Sequence, residues 1–202
     1  MSTLLKPLLV REKLLERKMR IFTFHEFSSL FPSSRHNVKY FLEHQVEQGL
    51  LTRIKRGLYT LKTDPPSEEE IANALYRPSY ISFEYALAYY NLLPEMPYHL
   101  TSATTKPTRL FILSSNSFSY RTIKTEAYTG YRLVEQGEIR YLIAEPEKAL
   151  VDSLYFASLS RTTINERIFQ NYKLKTLNKA KVSQYAKLYQ QKKLDTILGN
   201  LL

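Results

Sequence analysis

Apolar residues recur along the first part of the chain at helical spacing, interrupted by capping residues and short β-prone runs. Leu8, Leu15 and Met19, flanked by Leu5, Leu9 and Leu14, predict a helix over 4–19. Arg20-Ile21-Phe22 is short and β-prone. Thr23 predicts the cap of a second helix, 24–31, because Glu26 stands three positions on, as a capping box requires. Phe31-Pro32 ends that helix, since the residue before a proline is steered out of the helical region. Ser33 or Ser34 caps a third helix running to Gln48 and closed by Gly49, with Val38, Phe41, Leu42 and Val46 as its apolar stripe. Leu50 to Lys55 and Leu58 to Leu61 read as two strands around a tight Arg56-Gly57 turn.

Asp64-Pro65-Pro66-Ser67 breaks the pattern, because two prolines stop helix and central strand alike. Ser67 then caps a helix over 67–76 entered through Glu68, Glu69 and Glu70. These residues place a domain boundary there, dividing the chain into 1–63 and 64–202. Beyond it, 80–82 reads as extended and 83–92 as a helix. Four β-prone runs follow, 99–104, 109–113, 119–127 and 139–144, with Ser114 to Ser117 as a turn between strands. Pro146 opens another helix at its first turn, with Ala149, Leu150, Leu154 and Tyr155 on its buried face. From about residue 161 the chain is mostly helical and basic, with Leu174, Leu177, Val182, Tyr185, Leu188 and Tyr189 as a packing face.

The expected fold class is α+β: an N-terminal winged helix-turn-helix followed by a mixed α/β domain with a helical C-terminal tail. Helix, short strand, helix, turn, helix, basic hairpin is the element order of a winged helix.

Charge sharpens that picture. The net charge is +10, and it is unevenly spread. Residues 1–63 hold 12 basic and 5 acidic side chains, 64–160 hold 8 and 12, and 161–202 hold 9 and 2. Two basic ends around a slightly acidic middle suit a polyanionic partner. In the third helix Arg35, His36, Asn37, Lys39 and Tyr40 fall outside the apolar stripe, near the N-terminal half that a recognition helix presents to the major groove. Ser33 and Ser34, with the open amides of a helix start, suit a phosphate. Arg53, Lys55 and Arg56 would set the hairpin against the DNA backbone. The bland alternative is a solvated basic face on a winged helix that serves protein interaction.

Catalytic signatures are few. Cys is 0, which removes disulfides, thiolate metal sites and cysteine nucleophiles, and is in keeping with a reducing cytoplasm. The four histidines lack metal spacing, and no glycine-rich phosphate loop or Gly-x-Ser-x-Gly elbow appears. No cofactor is expected. Glu145, Glu147, Lys148 and Asp152 follow a strand, as nuclease carboxylates do, but helix capping explains Glu145 and Glu147 more simply. No apolar run approaches the roughly 20 residues of a membrane span, and 1–20 has no signal-peptide core.

Three stretches in order resemble AbiEi-type antitoxins: Leu50 to Tyr59 in the hairpin, Tyr80 to Leu87 with Asn91 to Glu95, and Ala144 to Asp152 with Leu154-Tyr155. The resemblance covers most of 20–160 and fades in the basic tail. It implies an antitoxin of a type IV toxin–antitoxin (abortive infection) system. The winged helix would bind inverted repeats in its own promoter as monomer or dimer, repressing transcription. The second domain would oppose a nucleotidyltransferase-like toxin, without stable toxin binding being required. It carries over no catalytic residue. Lys173, Lys175, Lys179, Lys181 and Lys187 in the tail are candidates for a nucleic-acid or partner surface. A plain winged-helix regulator, whose second domain senses a ligand or dimerises and which has no toxin partner, is the competing reading.

Overall fold

The computed structural model describes residues 5–113, 116–159 and 172–201. It is an α+β protein of two compact units, Met1–Leu75 with Gly137–Ile139, and Tyr76–Gln136 with Arg140–Leu202.

The first unit runs α1 (Pro7–Glu16), β1 (Ile21–Thr23), α2 (Phe24–Leu30), α3 (Arg35–Glu47), β2 (Leu51–Lys55), β3 (Leu58–Leu61) and α4 (Glu68–Leu75). Up to β3 this is the order expected for a winged helix. β3 lies between β1 and β2, antiparallel to both, with Phe22 and Arg53 each opposite Tyr59. The capping box at Thr23 forms: Thr23 Oγ1 accepts from the Glu26 amide at 3.2 Å, and Glu26 accepts from the Thr23 amide at 2.6 Å. Phe22, Phe27, Phe41 and Tyr59 pack in a connected aromatic core with Val38 and Leu42. Each such ring or aliphatic chain taken from water contributes about 1.5–3 kcal/mol. In α1 the expected stripe is displaced. Val10 and Leu14 are the buried residues, while Leu8, Leu9 and Leu15 face solvent. The cause is that α1 begins only at Pro7 and offers the core the line that runs through Val10 and Leu14.

The break expected at 63/64 falls inside the first unit, which carries on through α4. Arg20 holds it there: its guanidinium meets Asp64 Oδ1 at 3.1 Å and Glu70 Oε2 at 2.8 Å, and donates to the Pro65 carbonyl. Ser67 and Glu70 cap α4 reciprocally, and Ala72 and Leu75 are buried. Prolines break secondary structure without breaking packing.

The second unit contains β4 (Ser79–Ile81), α5 (Phe83–Tyr89), β5 (His99–Thr104), β6 (Arg109–Leu113), β7 (Asn116–Thr122), β8 (Tyr131–Gln136), β9 (Ile139–Ala144), α6 (Pro146–Ser158), α7 (Lys179–Tyr189) and α8 (Lys192–Leu201). Its mixed sheet is ordered β6-β7-β5-β4-β9-β8. Three expectations need correction. Asn116 and Ser117 are the start of β7 rather than a turn, because they pair with Leu113 and Ile112; residues 114 and 115 lie outside the described residues. The 119–127 run ends as strand at Thr122, and Thr125–Ala127 is a 3-10 turn. The helix expected over 83–92 stops at Tyr89, with Asn91 at φ 56°. β8 lies outside the four β-prone runs of the sequence.

α6 is buried on nearly every side, from Glu147 to Asp152 and again from Leu154 to Phe156. It packs against α5, α7 and α8, with the Tyr155 and Tyr189 rings 4.0 Å apart. The tail face expected at Leu174, Leu177, Val182, Tyr185 and Tyr189 is buried, and Leu188 is half-buried. Residues 160–171 of the expected helical tail lie outside the described residues. No helix among the described residues is long and apolar enough to cross a membrane.

Candidate nucleic-acid interface

α3 packs on β2 and is anchored by Val38, Phe41 and Leu42, which turns the opposite face outward. Arg35, His36, Lys39 and Tyr40 are all exposed there. The Arg35 guanidinium rests 5.8 Å from the Phe24 ring, a contact that orients it and leaves its N–H donors available. Tyr40 stacks on His44 with ring planes 8° apart. Lys39 lies 3.9 Å from Glu43, a water-exposed pair too weak to hold its ammonium away from a stronger anion. On the hairpin, Arg53 and Arg56 are exposed, and Gly57 takes the positive φ (79°) that closes the turn.

Several expected contacts are otherwise engaged. Ser34 caps α3, its hydroxyl accepting from the Asn37 amide at 3.2 Å, so that amide is not open to a phosphate. The Ser33 hydroxyl is buried, turned away from any phosphate. Asn37 is half-buried and, with Leu5, Pro7, Tyr40 and His44, lines a groove of about 450 Å³ between α3 and the start of α1. Lys55 is also turned inward, where its ammonium donates to the Leu75 carbonyl at the end of α4. In the tail, Lys181 is bound to Glu145 at 2.7 Å. That bond and one from Tyr185 hold the Glu145 carboxyl below its usual range. Lys175, Lys179 and Lys187 are exposed, and the Lys173 side chain lies outside what is described.

One cluster was not legible in the sequence as such. Lys148 and Asp152, one turn apart on α6, form a fully buried ion pair. Asp152 Oδ2 accepts from Tyr80 Oη at 3.0 Å and from Ser82 Oγ at 2.7 Å, and Oδ1 accepts from Tyr189 Oη at 2.5 Å. Lys148 also donates to Tyr189 Oη at 3.1 Å. Burial drives the Lys148 pKa down against the pull of Asp152, and drives the Tyr80 and Tyr189 phenols well above their ordinary value. The i,i+4 spacing of Lys148 and Asp152 was a visible signal. The partners from β4 and α7 were not. The nuclease-like carboxylates are thus all engaged: Asp152 here, Glu147 by the Asn178 amide, Glu145 by Lys181 and Tyr185. Among the described residues no group of three or more His, Asp or Glu is arranged to hold a metal ion.

No protein-family model matches this chain, and no curated protein matches it.

Proposed function

We propose that this chain is a non-enzymatic, sequence-specific DNA-binding repressor, and, following the resemblance above, the cytoplasmic antitoxin of a type IV toxin–antitoxin pair. The observation that carries the DNA-binding part is the exposed Arg35, His36, Lys39 and Tyr40 face of α3, beside a hairpin bearing exposed Arg53 and Arg56. An apolar anchor on one side and long cations on the other is the arrangement that lays a helix in the major groove, where arginine reads guanine bidentately. The ligand of this face is double-stranded DNA carrying inverted repeats. The second unit, in this reading, counteracts a nucleotidyltransferase-like toxin.

The test is a titration of the full chain against its own upstream DNA and a scrambled duplex. Arg35→Ala and Lys39→Ala reduce discrimination between the two, by about 1–3 kcal/mol for a lost base contact, while Arg56→Ala weakens both alike. Equal affinity of the unmodified protein for both duplexes refutes sequence-specific binding. Co-expression with the product of the adjacent gene tests the antitoxin part: growth rescued from a toxic neighbour supports it, and a toxic neighbour left unrescued refutes it.

A further inference from the structure

Between Tyr76 and Asp152 the cations of the second unit are mostly committed to partners. Arg121 meets Glu84 at 2.8 Å, Arg140 meets Glu135 at 3.0 Å, and Lys148 meets Asp152. Lys124 donates to the Tyr189 carbonyl at 2.6 Å, and Arg132 to the Tyr90 hydroxyl at 3.3 Å. Lys106 and Arg109 differ. Both are exposed, neither meets a carboxylate among the described residues, and both lie over aromatic rings instead. Lys106 Nζ stands 5.4 Å from the Tyr76 centroid, and Arg109 Cζ stands 6.0 Å from Tyr76 and 5.1 Å from Phe111.

The platform beneath them is rigid. Tyr76, Phe111 and Tyr120 pack ring against ring at 5.3 to 5.8 Å. The connection from β5 to β6 that carries Lys106 is tied down at four points. Tyr76 Oη donates to the Pro107 carbonyl at 3.1 Å, and Thr122 Oγ1 to the Lys106 carbonyl at 2.8 Å. The Lys106 amide donates to Thr104 Oγ1 at 3.2 Å, and the Thr122 amide to Thr108 Oγ1 at 3.2 Å. A cation resting on a ring keeps its N–H donors, and the ring restricts its rotamers, so less entropy is lost when an anion docks.

We propose that Lys106 and Arg109 form a second DNA-contacting surface, which grips backbone phosphates and reads no bases. Two preorganised, unneutralised cations fit a repeating phosphate polyanion. The faces of Tyr76 and Phe111 carry the cations themselves, so these two rings are not open platforms for stacking bases. This inference rests on the DNA-binding reading, and the experiment separates the two.

The full chain is titrated with its upstream duplex and with a random duplex at several salt concentrations, as wild type, as Lys106→Ala/Arg109→Ala, and as Arg35→Ala/Arg56→Ala. Each lost phosphate contact lowers the slope of log affinity against log salt by about 0.9, so the first variant loses about 1.8 and weakens both duplexes by the same factor. Both residues are surface-exposed, and an unchanged circular dichroism melt verifies that folding is intact. A slope and affinity equal to wild type in Lys106→Ala/Arg109→Ala, with loss in Arg35→Ala/Arg56→Ala, overturns this surface and leaves the α3 reading standing. The reverse pattern overturns the α3 reading and supports this surface. No binding by the wild type overturns both.

Discussion

Asp152→Leu separates a charge effect from a packing effect at the centre of the second unit. The substitution leaves Lys148 fully buried, holding one hydrogen bond to Tyr189 Oη and the faces of the Tyr80 and Tyr189 rings. Breaking a buried pair in this way costs about 3–5 kcal/mol. The lysine has one escape, to lose its proton. Doing so at pH 7 from an ordinary pKa of about 10.4 costs about 4.6 kcal/mol, which caps the charge penalty. In the variant the folded pKa lies far below the unfolded one, so the unfolded chain binds the extra proton and stability rises with pH. The cap falls by about 1.4 kcal/mol per pH unit, to about 1.9 kcal/mol at pH 9. Lys148→Met costs less, because Asp152 keeps three hydroxyl donors from Tyr80, Ser82 and Tyr189. The double variant recovers most of the loss, as apolar replacement of a buried pair commonly does. Urea unfolding followed by tyrosine fluorescence measures this unit. Trp is 0, and of the 16 tyrosines only Tyr40 and Tyr59 lie in the first unit. An Asp152→Leu penalty that is the same at pH 7 and pH 9, or a double variant no more stable than Asp152→Leu, refutes the reasoning.

Arg20→Ala removes the clamp on Asp64 and Glu70, both largely shielded, and destabilises the first unit by about 1–3 kcal/mol, with faster proteolysis at 64–67 as the direct readout. Gly130→Ala forces a Cβ to within 2.7 Å of the Tyr185 ring at a residue of φ 73°, so it loosens α7 and costs about 1–3 kcal/mol in the same urea titration; a neutral result refutes the close packing. In the wild type, burial raises Tyr128 and Tyr185 to about 12 and holds Tyr80 and Tyr189 well above their ordinary value. Above the unfolded value near 10 the unfolded chain releases these protons while the folded chain keeps them, so stability falls with pH by up to about 1.4 kcal/mol per unit per tyrosine; a share of the phenolate absorbance that appears only with unfolding verifies it.

The first unit was readable because its determinants are local. Thr23 and Glu26, Ser34 and Gly49 act on neighbours within four residues, and the α3 stripe follows one period. The failures share a different cause. Arg20 reaches 44 and 50 residues along the chain to Asp64 and Glu70, and Lys55 reaches 20 to Leu75. Those ties kept α4 with the first unit and removed Lys55 from the candidate interface, and no local pattern announces them. Likewise β8, where Leu133 and Val134 stand side by side between Arg132 and Glu135 instead of alternating with them, carries a weak signal that only pairing in the sheet resolves. In the candidate site the exposed cations on α3 were legible from periodicity. The inward turn of Ser33 and the engagement of Ser34 depended on which serine took the cap.

If the proposed DNA binding holds, net charge overstates its footprint, and the exposed cations give a better count. In the first unit Arg20 and Lys55 are spent on internal bonds, and Lys18 faces Glu138 at 3.7 Å. On the α3 and hairpin face Arg35, Lys39, Arg53 and Arg56 are left for phosphates or bases. Four contacts give a salt slope of about −3.6 per bound copy, and Lys106 with Arg109 extends it to about −5.4. Two copies on an inverted repeat double the total without changing the value per copy. A slope per copy steeper than that brings in further exposed cations, Lys175 and Lys187 in the tail or Lys13 and Arg17 at α1, and substituting the pair concerned then flattens it. A slope near zero removes the polyanion altogether and leaves α3 as a protein-binding face, for which Tyr40 stacked on His44, beside the groove lined by Leu5 and Pro7, is the natural centre.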